Sequence, residues 1–421
     1  MLFRSVKEHA VKKTKLVYVC GLGAVGSLGL PKFYRPDKKR VEDYASNKDA
    51  TQATFRRLPH LGSSDKISDI ACGYGFTIIA AKVPDSSHSV FGFGLNTHSQ
   101  LGYQCARPGS PLEIVSQPLP IWLPTDRIIK QVSCGRSHTL CLSDDGKVFS
   151  LGNNSFGQCG RPIIEDENYF GSKRVHHIEG LASNLKQIEC GQDHSFFLTD
   201  TGELYACGWG ADGQTGLGHM NSEHRPTRVK GDIEGTRIVK VSSCADTTLA
   251  LDDLGNVFGW GNAEYSQFKV LANEDCEQFV SPRHLEMVNT PGKIIDIAAG
   301  GTICAVLTDR GQLFVWGFGI LGKGPGVNQS SYPTLIPESL FGMNPYNPDV
   351  KVVKIFAGLS QLSAITNRGD LYSWGRNRGF SLGFKHRQHQ YFPLQVDLNL
   401  ASVLKIAMSV DHSCALVERV S

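Results

Sequence analysis

The chain has 421 residues, 41% of them hydrophobic and 45 of them glycine, so it can fill several ordinary cores and is rich in turn residues. A formal net charge of +3 demands no nucleic-acid partner, and the twelve cysteines contain no C-x-x-C pair, the usual mark of zinc or dithiol chemistry. No run of 18 apolar residues occurs, so no transmembrane helix is expected.

Residues 1–15, MLFRSVKEHAVKKTK, set Arg4, Lys7, Lys12, Lys13 and Lys15 against one acid, Glu8. Leu2, Phe3, Val6 and Ala10 can share a helical face, which fits a mitochondrial transit segment and equally a basic tail. Residues 17–26, VYVCGLGAVG, place Gly21-x-Gly23-x-x-Gly26 after a strand, as in a dinucleotide site. That site needs a helix directly afterwards, and Ser27-Leu28-Gly29-Leu30-Pro31 is a poor one. Residues 31–66 form a long insertion with Lys38, Lys39, Arg40, Arg56 and Arg57. These cations suit phosphate contacts in RNA, with Phe33 and Tyr34 for stacking, and equally suit a solvated loop.

From here the chain repeats itself. A strand-end glycine recurs at Gly21, Gly94, Gly152, Gly208, Gly261, Gly317 and Gly375, with spacings of 73, 58, 56, 53, 56 and 58 residues. An upstream marker glycine recurs at Gly73, Gly135, Gly191, Gly300 and Gly358, with Cys244 and Ser409 in the other two units. Residues 188–218 show the unit most clearly: a strand, the apolar run Phe196-Phe197-Leu198, a hairpin turn at Thr199-Asp200-Thr201-Gly202, and a return strand ending at Gly208. Five units keep the turn, around Gly146, Gly202, Gly255, Gly311 and Gly369. Val17–Gly21 supplies only the second half of a unit and residues 406–417 only the first. Joined, they complete a seventh, and a ring closed in this way removes two free sheet edges. The expected fold is all-β: one seven-bladed β-propeller over residues 16–421, closed by N- and C-terminal strands in one blade, behind a basic tail at 1–15.

Residues 103–130, 161–186, 219–237, 268–293, 322–351 and 384–403 read as connections, where a propeller usually carries function. The five prolines of 322–351 suggest order against the ring, and Gly322-Lys323-Gly324 lacks the spacing of a phosphate-binding loop. His138, His194 and His412 share one unit position and are expected to fix a turn by hydrogen bonding. Cys72, Cys134 and Cys190 share another and read as small buried strand residues. Gln100, Gln158, Gln214 and Gln267 follow the strand-end glycine by six residues, whereas the other units have Ser27, Lys323 and Ser381. Those three units are consecutive in a closed ring, and Arg376, Arg378, Lys385, His386 and Arg387 add positive charge there, so this arc is a candidate partner-docking surface. No nucleophile, metal-ligand set or cofactor loop accompanies the Asp-His pairs, and neither an enzyme nor a cofactor is expected.

The registered glycine, His-Thr, Asp-x-x-Gly and Trp-Gly pattern resembles the regulator-of-chromosome-condensation family of seven-bladed propellers. CGYGFT (72–77), GNNSFGQCGR (152–161), GFGILGKGP (317–325) and QYFP (390–393) are similar to a mitochondrial branch of it. That resemblance implies a matrix protein, in contact with the inner membrane, acting as a scaffold in mitochondrial ribosome biogenesis. Its implied partners are large-subunit ribosomal RNA and its assembly or pseudouridylation proteins. The alternative it implies is a guanine-nucleotide exchange factor for the dynamin-like GTPase of inner-membrane fusion. In the nuclear branch an aspartate of an Asp-His motif lies on the GTPase-binding face; Asp193, beside His194, is the matching position. Thr247 replaces the next unit's histidine, which disfavours the nuclear branch's own small GTPase as partner.

Overall fold

In the computed structural model each repeat unit folds as a four-stranded antiparallel meander, and the residues described are 13–30, 32, 50–62, 65–84, 86–181, 184–268, 277–398 and 401–420. Lys38, Lys39 and Arg40, with most of the basic segment 1–15, lie outside the described residues. Blade 4 shows the plan: Leu185–Cys190 lines the ring axis, followed outward by His194–Thr199, Leu204–Gly208 and Glu223–Arg228. The second strand, HSFFLT, is buried at every position because a neighbouring blade covers each of its faces, which explains its unbroken apolar run. Gly208 has φ +110°, and a Cβ there would lie 2.5 Å from His194 Cα on the paired strand. Glycine is required at this position for both reasons.

The ring continues through six further sheets. Blade 5 is Ile238–Ser243, Thr247–Asp252, Val257–Asn262 and Gln278–His284. Blade 6 is Ile294–Ala299, Ile303–Thr308, Leu313–Phe318 and Gln329–Leu335. Blade 7 is Val352–Ala357, Gln361–Thr366, Leu371–Gly375 and Gln390–Val396. Blade 2 is Lys66–Gly73, Phe76–Lys82, Val90–Leu95 and Ile114–Pro120, and blade 3 is Ile129–Cys134, His138–Ser143, Val148–Gly152 and His176–Ile178. Blade 1 is the closing blade: Ser402–Met408 and His412–Val420 come from the C-terminal end, Lys13–Leu22 and Thr51–Arg57 from the N-terminal end. Its seam runs in register from Lys13 opposite Val420 to Gly21 opposite His412. Gly21 therefore ends a closing strand, and residues 24–28 after it form turns rather than the helix a dinucleotide site requires.

The segments read as connections are corrected in one respect, because each contains the fourth, outermost strand of its blade. Pro118, Pro226, Pro282, Pro333 and Pro393 lie within these strands. An edge strand tolerates a residue with no N–H to donate, and the same prolines disguise it as loop. The segment 322–351 is ordered as expected: Gly324 donates to the Tyr391 carbonyl of blade 7 at 3.0 Å, and Phe341 is buried.

Two polar belts join the blades. In the innermost strands one unit position is polar in every blade, and its side chain bridges to the next strand at every seam. Lys405 meets Asp69 at 2.6 Å, and Asp69 Oδ2 accepts from the Val132 N–H at 3.0 Å. Gln131 exchanges two bonds with the backbone of Ile188, and Gln187 two with Val241. Lys240 pairs with Asp296, whose Oδ2 accepts from Ile355 N–H at 3.0 Å, and Lys354 donates to the Leu404 carbonyl at 3.1 Å. The second belt holds the repeat histidines. His138 meets Ser195 Oγ, His194 meets Ser243 Oγ and His412 meets Thr77 Oγ1, each at 3.0 Å. The hydrogen bonding expected of these rings is present, and it runs between units: each ring ties its blade to the neighbour. The marker glycines Gly135 and Gly191 make room for the imidazoles, since a Cβ at either would collide with the His138 or His194 ring.

Candidate functional site

Antiparallel meanders put alternate turns on opposite ends of the ring. The turn between first and second strands and the loop between third and fourth share one end, here the upper face. Tyr74, Arg136, Gln192, Ala245, Gly301, Leu359 and Val410 occupy equivalent positions in those first turns and surround the mouth of the central channel. Three of these seven, Tyr74, Arg136 and Gln192, are polar and consecutive around the ring; the other four are not.

Asp193, Asp246 and Asp411 occupy the next unit position, in blades 4, 5 and 1. Asp193 is nearly buried and its carboxylate is paired with the Arg136 guanidinium of blade 3 through two hydrogen bonds. Burial raises the Asp193 pKa, and Arg136 opposes that rise. Asp246 accepts from Gln214 Nε2 at 3.0 Å and forms no ion pair among the described residues. Burial, then the nearby Asp212 carboxylate, pushes it up to about 6. Tyr74 projects a hydroxyl with no hydrogen-bond partner toward this cluster, its own pKa raised by burial. The result is a half-shielded acidic centre whose charged form lacks solvation, so a partner's cationic or N–H donor would find a strong acceptor.

Beside it, the loops after the strand-end glycines carry aromatic pairs. Phe156 and Trp209 meet edge-on at 4.5 Å across blades 3 and 4, and Tyr265 and Phe318 lie 5.9 Å apart across blades 5 and 6. Tyr265 and Phe318 remain 42% and 37% exposed, which leaves an apolar step next to the acids. A depression of about 500 Å³ joins Asp246, Glu264, Tyr265, Phe318, Ile320 and Arg376.

Of the residues singled out from sequence, Asp193 lies at this mouth. His194 lies beneath it, fully buried in the seam with Ser243, so its contribution to the face is to hold the Asp193 turn. Arg376 reaches the same depression, while Arg378, Lys385 and Arg387 are exposed in the loop behind it, the Arg387 guanidinium 5.1 Å above the Phe380 ring. Arg56 and Arg57 are exposed on the outer strand of blade 1, apart from the acidic centre. The four glutamines that blades 6, 7 and 1 replace share one bond, Oε1 of Gln100, Gln158, Gln214 and Gln267 accepting at 2.9 Å from the N–H of His98, Phe156, Asp212 and Tyr265. Among the described residues Ser27, Lys323 and Ser381 make no such bond; Ser27 Oγ instead donates to the Leu22 carbonyl at 2.6 Å, and Ser381 Oγ accepts from Gln361 Nε2 at 2.6 Å. Trp260 and Trp316 donate to the carbonyls of Gln214 and Gln267, whereas the equivalent Trp374 Nε1 has no partner. Sequence reading passed over Arg136, Asp212 and Asp246; the unit position that Asp246 shares with Asp193 is the signal that finds Asp246, while Arg136 and Asp212 come together with the acids only in the ring. Among the described residues no three His, Cys, Asp or Glu side chains converge as a metal site, and no helix is long and apolar enough to cross a membrane.

The model of the regulator of chromosome condensation (RCC1) repeat matches residues 87–142, 145–198, 201–251 and 368–416. The chain is 43% identical over 420 residues to a human protein named RCC1-like G exchanging factor-like protein, covering 98% of this chain and 89% of that one. The crystal structure of human WBSCR16 superposes with a TM-score of 0.87 at 43% identity, covering 96% of this chain and 99% of that one. Yeast RCC1 (Prp20), solved bound to Kap60, superposes with a TM-score of 0.76 over 98% of this chain and 90% of that one, at 19% identity, a likeness of fold alone.

Proposed function

The chain belongs to the RCC1 repeat family, and from that premise we propose that it is an interaction propeller whose upper face binds a GTPase and promotes guanine-nucleotide release. The observation that carries this reading is the under-solvated acidic pair Asp193 and Asp246 beside the exposed Tyr265–Phe318 step. An exchange factor acts by holding the nucleotide-free GTPase more tightly than the loaded one. Carboxylates short of solvation suit that task, since they gain most from donors that the GTPase otherwise turns toward phosphate and magnesium. The name of the human relative supports the reading. The proposed partner is the dynamin-like GTPase of mitochondrial inner-membrane fusion. The test is release of a fluorescent GDP analogue from that GTPase at saturating propeller. Acceleration of about tenfold or more, lost in Asp193→Asn, is expected; an unchanged release rate sinks the proposal.

A second reading, a scaffold for mitochondrial large-subunit ribosome assembly, is favoured by the exposed Arg376, Arg378, Lys385 and Arg387 on one arc. It places the protein in the matrix with ribosomal RNA and pseudouridine synthases as partners. Ultraviolet crosslinking in isolated mitochondria is expected to enrich one region of large-subunit ribosomal RNA, with the enrichment reduced by charge reversal at those four residues. Crosslinks no more frequent than in an untagged control exclude direct RNA contact.

A further inference from the structure

The end of the ring opposite the upper face carries a second mouth of the channel, with a chemistry of its own. It is set by the unit position just before the inner polar belt: Ser68, Lys130, Lys186, Val239, Ile295, Val353 and Leu404, in blades 2 to 7 and then 1. Lys130 and Lys186 stand side by side on blades 3 and 4 and are exposed, and the four residues from blade 5 round to blade 1 are all aliphatic. A cavity of about 590 Å³ opens here, lined by Lys130 and Lys186 on one side and by Val239, Leu251 and Ile295 on the other. Ile295 is 46% exposed, an aliphatic side chain left to solvent. Further up, the channel passes Cys72 and Cys134, which are half-buried; of the three cysteines expected to be buried at that repeat position, Cys190 alone is.

Most polar groups of this cavity are already engaged within the protein. Gln131 and Gln187 each use both ends of the side-chain amide on the backbone of the next blade. Asp69 and Asp296 are paired with Lys405 and Lys240. Ser68 Oγ donates to the Ile129 carbonyl at 2.7 Å, and Glu189, further up the channel, lies 3.3 Å from Gln187 Nε2. Lys354 of blade 7 donates to the Leu404 carbonyl at 3.1 Å. Lys130 makes one bond, to the Leu185 carbonyl at 3.3 Å, and Lys186 makes none; among the described residues neither joins an ion pair. The donors left open in the cavity are therefore cationic, and they lie beside an aliphatic wall.

We propose that this lower mouth binds an acyl carboxylate, with its head between the Lys130 and Lys186 ammonium groups and its aliphatic chain along Val239, Leu251 and Ile295. The cavity falls within the range usual for small-ligand sites, about 300–1,000 Å³. Charge-assisted hydrogen bonds from the two lysines hold the head, and the chain gains by leaving water for the apolar wall. An extended peptide fits less well, because its amide groups would lie against Val239, Leu251 and Ile295, whose side chains have nothing to pair with them. The site is at the other end of the ring from Asp193 and Asp246 and stands independently of the nucleotide-release reading.

Calorimetric titration of the full-length protein with dodecanoate, kept below its micellar concentration, tests the site. Dodecanoate is expected to bind as one molecule per chain, and acetate, the head without the chain, is expected not to bind. Dodecyl maltoside, the chain without the charge, is expected to bind the wild-type protein at least about tenfold more weakly than dodecanoate does. The double variant Lys130→Met, Lys186→Met keeps the apolar stems and is checked for an unchanged melting temperature. Its affinity for dodecanoate is expected to fall by about tenfold or more. A diazirine-bearing dodecanoate is expected to label peptides that carry Val239 or Ile295 in the wild-type protein. No binding of dodecanoate, or equal binding by dodecyl maltoside or by the double variant, overturns the proposal. So does labelling confined to Tyr332 and Phe392, exposed aromatic residues of the outer strands. Binding of hexaglutamate where dodecanoate fails overturns it in favour of an acidic peptide.

Discussion

A carboxylic acid held away from water without a cation of its own is a stability liability, and Asp246 shows in which direction. Its folded-state pKa, about 6, lies above the ordinary value of 3.8. Between those pH values the folded state binds more protons than the unfolded one, so stability falls as pH rises through this window. Asp246→Asn keeps an oxygen to accept the Gln214 bond and removes the charge. It is expected to stabilise the fold by about 1 kcal/mol at pH 8, after discounting for partial exposure, and by nothing near pH 4. Urea denaturation at the two pH values reads the difference; an equal gain at both would mean that charge is not the cause. If Asp246 contacts the GTPase, the same substitution also slows nucleotide release, a trade of function for stability. Asp193 was legible from sequence through its Asp-His motif, but its partner Arg136 lies 57 residues away and meets it only because the ring sets blades 3 and 4 side by side.

Within one blade, the elements differ in how much change they tolerate. The third strand of blade 4 ends at Gly208, where φ is +110° and the paired strand leaves no room for a side chain. Gly208→Ala is expected to cost about 3 kcal/mol or more, because strain and collision act together. Pro226 lies in the outermost strand of the same blade, where no further strand needs its N–H. Pro226→Ala is expected to change stability by less than about 0.5 kcal/mol. Thermal unfolding of the two variants measures the contrast, and a costly Pro226→Ala would indicate that the outer strand carries more of the fold than its edge position implies. The same contrast explains what the sequence displayed. The inner hairpins announce themselves because turn, apolar run and glycine recur in register. The outer strands lack a buried face on one side and carry prolines, so no periodicity distinguished them from loops. The inner polar belt was visible in principle, since Asp69, Gln131, Gln187, Lys240, Asp296, Lys354 and Lys405 share one unit position, but as mixed residue types they do not read as one motif.

At the scale of the ring, the question is whether stability depends on the order of the blades along the chain or on closure itself. Blade 1 takes its two inner strands from the C-terminal end and its two outer strands from the N-terminal end. The pairing of Lys13–Leu22 with His412–Val420 is thus the clasp of the propeller, and the half-units at the chain ends disclosed it before any coordinate did. Both edges of the clasp are long, and each would be an unpaired strand in an open ring. Truncation after Asp411 removes one clasp strand together with His412 and Cys414. It is expected to abolish cooperative unfolding and to give aggregation-prone protein, read by near-ultraviolet circular dichroism and gel filtration. A circular permutant provides the discriminating comparison. Joining residue 420 to residue 13 through a short linker, and opening the chain at Gly235 in the turn between blades 4 and 5, keeps every strand pair and makes the clasp continuous. The new opening lies in open space, since even a Cβ at Gly235 would meet nothing within 4 Å. If closure is what matters, the permutant folds with a native spectrum and matches the native chain in the proposed nucleotide-release assay. Its melting temperature is expected to fall by several degrees, because its two ends now meet only through the inter-blade contacts of blades 4 and 5 and not through a shared sheet. A permutant as stable as the native chain would show that the clasp adds nothing beyond an ordinary seam, and an unfolded one would show that the blade order is itself required.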